Sequence, residues 1–244
     1  MLYQCVSKYS KMKLLTGFIF ALLFSCQAQQ SSDEIITGAK QLNSYLPMLK
    51  GKNIAVVANQ TSLVDGIHLV DTLLARSVTL TKVFAPEHGF RGNADAGASI
   101  DDAVDVKTGL PILSLYGATK KPTQAFLEGV DVVVFDIQDV GARFYTYIST
   151  LHYVMEARAE NAIPLLVLDR PNPNAHYVDG PILDSAYQSF VGMHPVPIVH
   201  GMTLAEYAQM INGEFWLKDS LQCELMYQSM QNYHHQKPYK LPVK

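Results

Sequence analysis

Cysteine is scarce in this sequence: Cys5, Cys26 and Cys223 are the only three in 244 residues. The first two fall in an amino-terminal stretch that reads as a processing signal, so Cys223 stands alone and no internal disulfide framework is expected. Cys223 lies in an apolar stretch and reads as a plain buried thiol. Charge is also sparse, at 17% of residues, with a formal net charge of −3. Without a basic excess the chain has little means of neutralising a run of phosphates, which argues against nucleic acid as a partner. The turn after the first expected strand lacks G-x-G-x-x-G, and G-x-x-x-x-G-K-[ST], H-E-x-x-H, C-x-x-C and G-x-S-x-G are all missing. These absences argue against dinucleotide, P-loop, zinc-protease and serine-esterase chemistry. The acidic cluster Asp95, Asp101, Asp102 and Asp105 fits no familiar ligand spacing, so no metal and no cofactor is expected.

What is present begins with an export signal. Lys8, Lys11 and Lys13 precede an apolar run from Leu14 to Phe24, which is too short to span a bilayer core of roughly 30 Å. Leu23-Phe24-Ser25-Cys26 has the form of a bacterial lipobox, with Cys26 as the lipidated residue; ordinary cleavage near Ala28 is the alternative. The expectation is an exported protein of the periplasm or cell envelope, joined to the membrane only through this lipid.

From Asn53 onward, short β-rich runs alternate with helical patterns. Strands are expected at Ile54 to Ala58, Val78 to Phe84, Ile112 to Leu115, Asp131 to Ile137, Leu165 to Leu168 and Gln222 to Tyr227. Helices are expected at Ile67 to Arg76, Thr123 to Glu128, Tyr147 to Asn161 and Leu204 to Asn212, the last capped by Thr203 with Gly213 beyond its end. Near-continuous apolar strands separated by helices imply an α/β fold, doubly wound, with a mainly parallel sheet covered on both faces. Prolines crowd the stretch from Pro171 to Pro197, where the rhythm changes. The organisation expected is a signal over 1–30, a Rossmann-like catalytic domain over 31–200 and the start of a smaller domain over 201–244.

Ligands of open parallel sheets bind beyond the carboxyl ends of the strands, and polar residues collect there. Asn59 follows the first strand, Glu87, His88 and Arg91 the second, and Tyr116 the third. Asp136, Gln138, Asp139, Arg143 and Tyr145 follow the fourth; Asp169, Arg170, Asn172 and Asn174 follow the fifth. Glu87, between Pro86 and His88-Gly89, sits on a stiff turn where burial would suit a general acid, or else pairs with Arg91 to hold the loop. Asp139, freer than Asp136 to reach a ligand, is the favoured second carboxylate of a pair such as glycoside hydrolysis uses. His88 is placed to orient Glu87 or relay its proton, and His200 to line the cleft from the far side. Arg143, then Arg170, is suited to a substrate carboxylate, with a salt bridge to Asp139 or Asp169 as the structural alternative. Tyr145 and Tyr147 are suited to a sugar face or to core packing.

Phe84-Ala-Pro-Glu-His-Gly-Phe-Arg-Gly92, Gly109-Leu-Pro-Ile112, Ser114-Leu-Tyr-Gly117, Phe135-Asp-Ile-Gln-Asp-Val-Gly-Ala-Arg-Phe-Tyr-Thr-Tyr147, Leu168-Asp-Arg-Pro-Asn-Pro173 and Pro197-Ile-Val-His-Gly-Met-Thr203 together resemble the exo-β-N-acetylmuramidase (NamZ) family. The resemblance runs from about Gly51 onward. It implies a Rossmann-like domain followed by a smaller one, and release of N-acetylmuramic acid from non-reducing ends of peptidoglycan fragments. It also implies Glu87 as the catalytic glutamate and muramyl sugars as partners. Family members continue well past the length of this sequence, which implies a shortened second domain. A different hydrolase, or a non-catalytic lipoprotein that binds muramyl sugars, remains the alternative.

Overall fold

Runs of consecutive apolar residues become the inner strands of one sheet in a computed structural model of the chain, which describes residues 33–92 and 102–243. The export segment with Cys26, and Asp95 and Asp101 of the acidic cluster, lie outside the described residues. The strands are β1 (Asn53–Ala58), β2 (Leu63–Val64), β3 (Ile67–His68), β4 (Thr79–Ala85), β5 (Ala103–Val104), β6 (Pro111–Ser114), β7 (Val132–Asp136), β8 (Leu165–Leu168) and β9 (Leu225–Gln228). Seven of them form one sheet in the order β5-β6-β4-β1-β7-β8-β9, while β2 and β3 make a separate hairpin. Every pairing in the large sheet is parallel except β5 with β6. Counting the parallel strands alone along the chain, the order is third, second, first, fourth, fifth, sixth. That is the Rossmann order, and its switch point falls between β1 and β7.

Both faces of this sheet are covered, which is why its central strands show no polar alternation. Ile54, Val56 and Ala58 face one layer, with α1 (Leu42–Leu49) and α2 (Leu69–Ala75). Ala55 and Val57 face the other, with α3 (Gln124–Leu127), α4 (Tyr147–Glu160) and α5 (Leu204–Gly213). The α5 helix packs on this core and β9 extends the sheet in register beside β8.

Local chemistry sets the element ends. Thr203 and Glu206 form a reciprocal capping box at the start of α5. The helix expected from Ile67 begins later, at Leu69, because Asp65 and Gly66 take φ of 49° and 80°. Those angles suit a tight hairpin turn, and Ile67-His68 pairs back onto Leu63-Val64. Gly213 is the last residue of α5 rather than the one beyond it. The α1 helix, which has Pro47 inside it, has no counterpart among the expected elements.

Candidate active site

The crevice at the switch point is sewn together by short polar side chains. Asn59 Oδ1 accepts from the Thr61 amide at 2.9 Å and from Thr61 Oγ1 at 2.5 Å. Thr61 Oγ1 in turn accepts from the Gln138 amide at 2.9 Å, and Ser62 Oγ donates to the Asp136 carbonyl. The loop after β1 is thereby tied to the end of β7. Gln138 Nε2 donates to the carbonyls of Asp139 and Pro171 at 2.7 and 2.6 Å, which draws in the end of β8.

Beneath this lies a buried ion pair. Arg170 donates through Nε and Nη2 to the two oxygens of Asp136 at 2.6 and 2.9 Å, and Nη2 also reaches the Leu63 carbonyl at 3.0 Å. Both residues are almost wholly buried. The partner of Arg170 is therefore Asp136, not Asp139 or Asp169. Arg91 is engaged too, donating to Asp105 at 2.9 and 2.7 Å and to Asp71 at 3.1 Å. These bonds raise the guanidinium above its ordinary value and hold the Asp105 carboxyl well below its own.

Glu87 occupies the turn after β4, half-buried. The turn is tight: the Gly89 amide donates to the Pro86 carbonyl at 3.0 Å, and His88 takes a φ of 69°. A non-glycine residue held in the left-handed region stores local strain, which collects at functional sites. Thr146 Oγ1 donates to Glu87 Oε2 at 2.7 Å. Tyr116 is raised above its ordinary value by burial and by its hydrogen bond to Glu87, so two hydroxyl groups address one carboxylate. Tyr147 is pushed up to about 12, first by burial, while Asn59 opposes the shift and the charges of Glu87 and Asp139 add to it. Tyr147 thus lies within electrostatic reach of both carboxylates.

Asp139 is deeply buried. Its Oδ2 accepts from the Gly141 amide at 2.7 Å, while Oδ1 has no hydrogen-bond partner among the described residues. Burial pushes the carboxyl up to about 6. His200 Nε2 lies 3.9 Å from Oδ2, also without a hydrogen-bond partner among the described residues. Burial lowers His200 to about 4, and its Nδ1 accepts from the Met202 amide at 3.2 Å. The neutral ring therefore carries its proton on Nε2, facing Asp139.

The remaining expected residues divide between scaffold and rim. Asp169 accepts from Thr203 Oγ1 at 2.9 Å and the Ala205 amide at 3.1 Å, anchoring the start of α5; burial pushes it up to about 6. Asn172 binds the Met202 carbonyl and the Asn174 amide, each at 2.8 Å. Arg143 donates through Nη1 to the carbonyls of Pro181 and Val196 at 2.7 and 2.5 Å. Tyr145 is exposed beside Phe144, with ring centroids 5.6 Å apart. Thr146 was missed: a threonine ahead of a helix reads as a cap, yet its side chain makes no cap hydrogen bond and serves Glu87 instead.

A Rossmann-ordered sheet with carboxylates, amides and hydroxyls gathered at its switch point defines an α/β protein with a polar cluster where ligands of open parallel sheets bind. Residues 54–243 match the family described as exo-β-N-acetylmuramidase NamZ, N-terminal. The chain belongs to this family. It is 50% identical over 177 residues to the peptidoglycan β-N-acetylmuramidase NamZ of Bacillus subtilis (strain 168), covering 71% of this chain and 43% of that protein. Two solved structures of DUF1343 family proteins from Bacteroides fragilis are also similar. One is 49% identical with a TM-score of 0.79, covering 86% of this chain and 56% of that one. The other is 38% identical with a TM-score of 0.78, covering 84% and 52%. The chain spans less than half the length of the curated relative and a little over half of the solved ones.

Proposed function

We propose that this chain carries the catalytic glutamate of a glycoside hydrolase that removes N-acetylmuramic acid from non-reducing ends of peptidoglycan fragments. One observation carries the reading: Glu87 stands at the crevice with its carboxylate addressed by Thr146 and Tyr116. The name of the Bacillus subtilis relative, at half identity, supports the substrate.

Cleavage of a glycosidic bond uses two carboxyl groups, one to protonate the leaving oxygen and one to stabilise or attack the opposite face. Glu87 is the group that meets the bond, its carboxylate addressed by the Thr146 and Tyr116 hydroxyls. Asp139 is the second, kept partly protonated near neutrality by burial, which suits it to proton transfer. His88 orients Glu87 from the strained turn, and His200 faces Asp139 from the far side at 3.9 Å. Asn59, Gln138, Asp169, Arg170 and Asn172 fix the crevice walls, and Tyr116, Arg143 and Tyr145 line its mouth. Arg91 secures the loop that carries Glu87. The chain is exported to the cell envelope and anchored there through Cys26. Loss of labelled fatty acid from Cys26→Ala checks the anchor.

The decisive experiment is release of N-acetylmuramic acid from a chromogenic β-muramide, comparing the wild-type chain with Glu87→Gln. Turnover abolished by the substitution, in a protein with unchanged circular dichroism, is the expected result. Full activity of Glu87→Gln would remove this residue from the chemistry. Binding of muramyl sugars without turnover would turn the reading toward a wall-binding protein.

A further inference from the structure

An acidic sugar bound beside Glu87 brings a second carboxylate into one crevice, and like charges there repel unless a cation stands between them. The cations nearest the crevice are largely committed. Arg170 is held by Asp136, Arg91 by Asp105 and Asp71, and Lys121 bridges Glu156 and Glu160 at 2.7 and 2.6 Å. Arg143 is fastened through Nη1 to the Pro181 and Val196 carbonyls.

Lys120 differs from these. It lies in the loop after β6, at the same end of the sheet as Glu87, and unlike Arg143 it makes neither an ion pair nor a hydrogen bond among the described residues. Its Nζ stands 5.1 Å from the centroid of Phe190, over the ring. Phe190 is itself fixed. Ser189 and Gly192 exchange backbone hydrogen bonds of 2.8 and 3.1 Å, which places Phe190 at the tip of a tight turn. Tyr153 stacks on it at 6.1 Å with planes 15° apart, and Tyr116 tilts against it at 6.2 Å. Tyr116 is the same residue whose hydroxyl meets Glu87. The Lys120 ammonium is therefore linked to Glu87 through the rings of Phe190 and Tyr116. The ring face restrains the flexible stem without using any of the three N–H donors, so little freedom is lost when an anion arrives.

We infer that Lys120, rather than Arg143, receives the carboxylate of the acidic sugar and so distinguishes a lactyl-bearing sugar from plain N-acetylglucosamine. The identity of that sugar rests on the muramidase reading above. The position and chemistry of the cation do not.

Two measurements test this. The first compares kcat/KM on a chromogenic β-muramide with a free lactyl carboxylate and on its lactyl methyl ester. Lys120→Met lowers the acid-to-ester ratio about tenfold, Lys120→Arg restores most of it, and the difference shrinks at high salt. An unchanged ratio in Lys120→Met, or the selective loss appearing in Arg143→Ala instead, overturns the assignment. The second measures binding of free N-acetylmuramic acid and N-acetylglucosamine by calorimetry, where Lys120→Met removes the preference for the acid. If the wild-type chain cleaves neither glycoside, the hydrolase reading falls. A Lys120-dependent preference in calorimetry would still uphold the carboxylate site, and no preference there would overturn it.

Discussion

Thr146 and Glu87 are joined side chain to side chain at 2.7 Å across 59 residues of sequence, linking the start of α4 to the turn after β4. A threonine at a helix start ordinarily satisfies a free amide of the first turn. Here the hydroxyl is turned away from the helix and spent on the carboxylate.

Thr146→Val keeps the shape and removes that donor. Since no cap bond is lost, helix content and Tm stay close to wild type, while kcat on the β-muramide falls about tenfold with little change in KM. Thr146→Ser recovers most of the rate. An equal fall in Tm and activity would show that the hydroxyl serves the fold rather than Glu87.

Arg170→Met leaves Asp136 buried without its counter-charge. Breaking such a pair costs about 3–5 kcal/mol, far more than an exposed pair contributes. Urea unfolding should show this loss, and Asp136→Leu in the Arg170→Met background should return much of it. A single substitution that shifts the midpoint by only a few tenths of a molar would contradict the buried pairing.

Asp139 gives a pH dependence opposite in sign to that of an ion-paired carboxylate. Its ordinary value is 3.8 and its folded value about 6, so between these limits the folded state holds more protons than the unfolded one. Stability from this group is therefore greatest below pH 4 and declines as pH rises toward 6, by up to about 3 kcal/mol. Asp139→Asn removes the decline. The stability of the variant relative to wild type should grow from pH 4 to pH 7 in chemical denaturation, and a difference independent of pH would refute the raised value.

Gly141→Ala tests the loop that carries Asp139. Gly141 has a φ of +75°, and an added Cβ would overlap the Asn172 amide. Both the backbone and the space forbid a side chain. The substitution should cost at least about 1–2 kcal/mol and lower activity more than Tm alone explains, because the Gly141 amide bonds Asp139 directly. Unchanged melting and turnover would show that the loop adapts freely.

Much of this architecture was legible in the sequence for one physical reason. A strand buried on both faces needs no polar alternation, so Val132-Val-Val-Phe135 announces itself, and polar residues collect where such runs stop. The Asp65-Gly66 pair has turn chemistry of its own, but the apolar spacing beyond it predicts a helix from Ile67. Pro47 concealed α1, whose stability comes from packing Tyr45 and Leu49 on the sheet rather than from propensity. Within the candidate site, the tight turn that carries Glu87 was recognisable from Pro86 and His88-Gly89. The partners of the arginines were not, because Asp136, Asp139 and Asp169 all follow strand ends at one edge of the sheet and only the direction of each side chain separates them. Phe190 beneath Lys120 was invisible for the same reason, since 70 residues divide the two.

Three of the hydrogen bonds that shape the crevice join positions 34, 59 and 77 residues apart. A nascent or half-folded chain possesses Glu87 but nothing to aim it, because its donor arrives only once β1, β4 and β7 lie side by side. The surroundings of Glu87 are thus a late product of folding, and on the catalytic role proposed for it, turnover during refolding should lag behind the return of secondary structure. The protein is in this sense its own safeguard: the reactive geometry exists only after the whole sheet has closed.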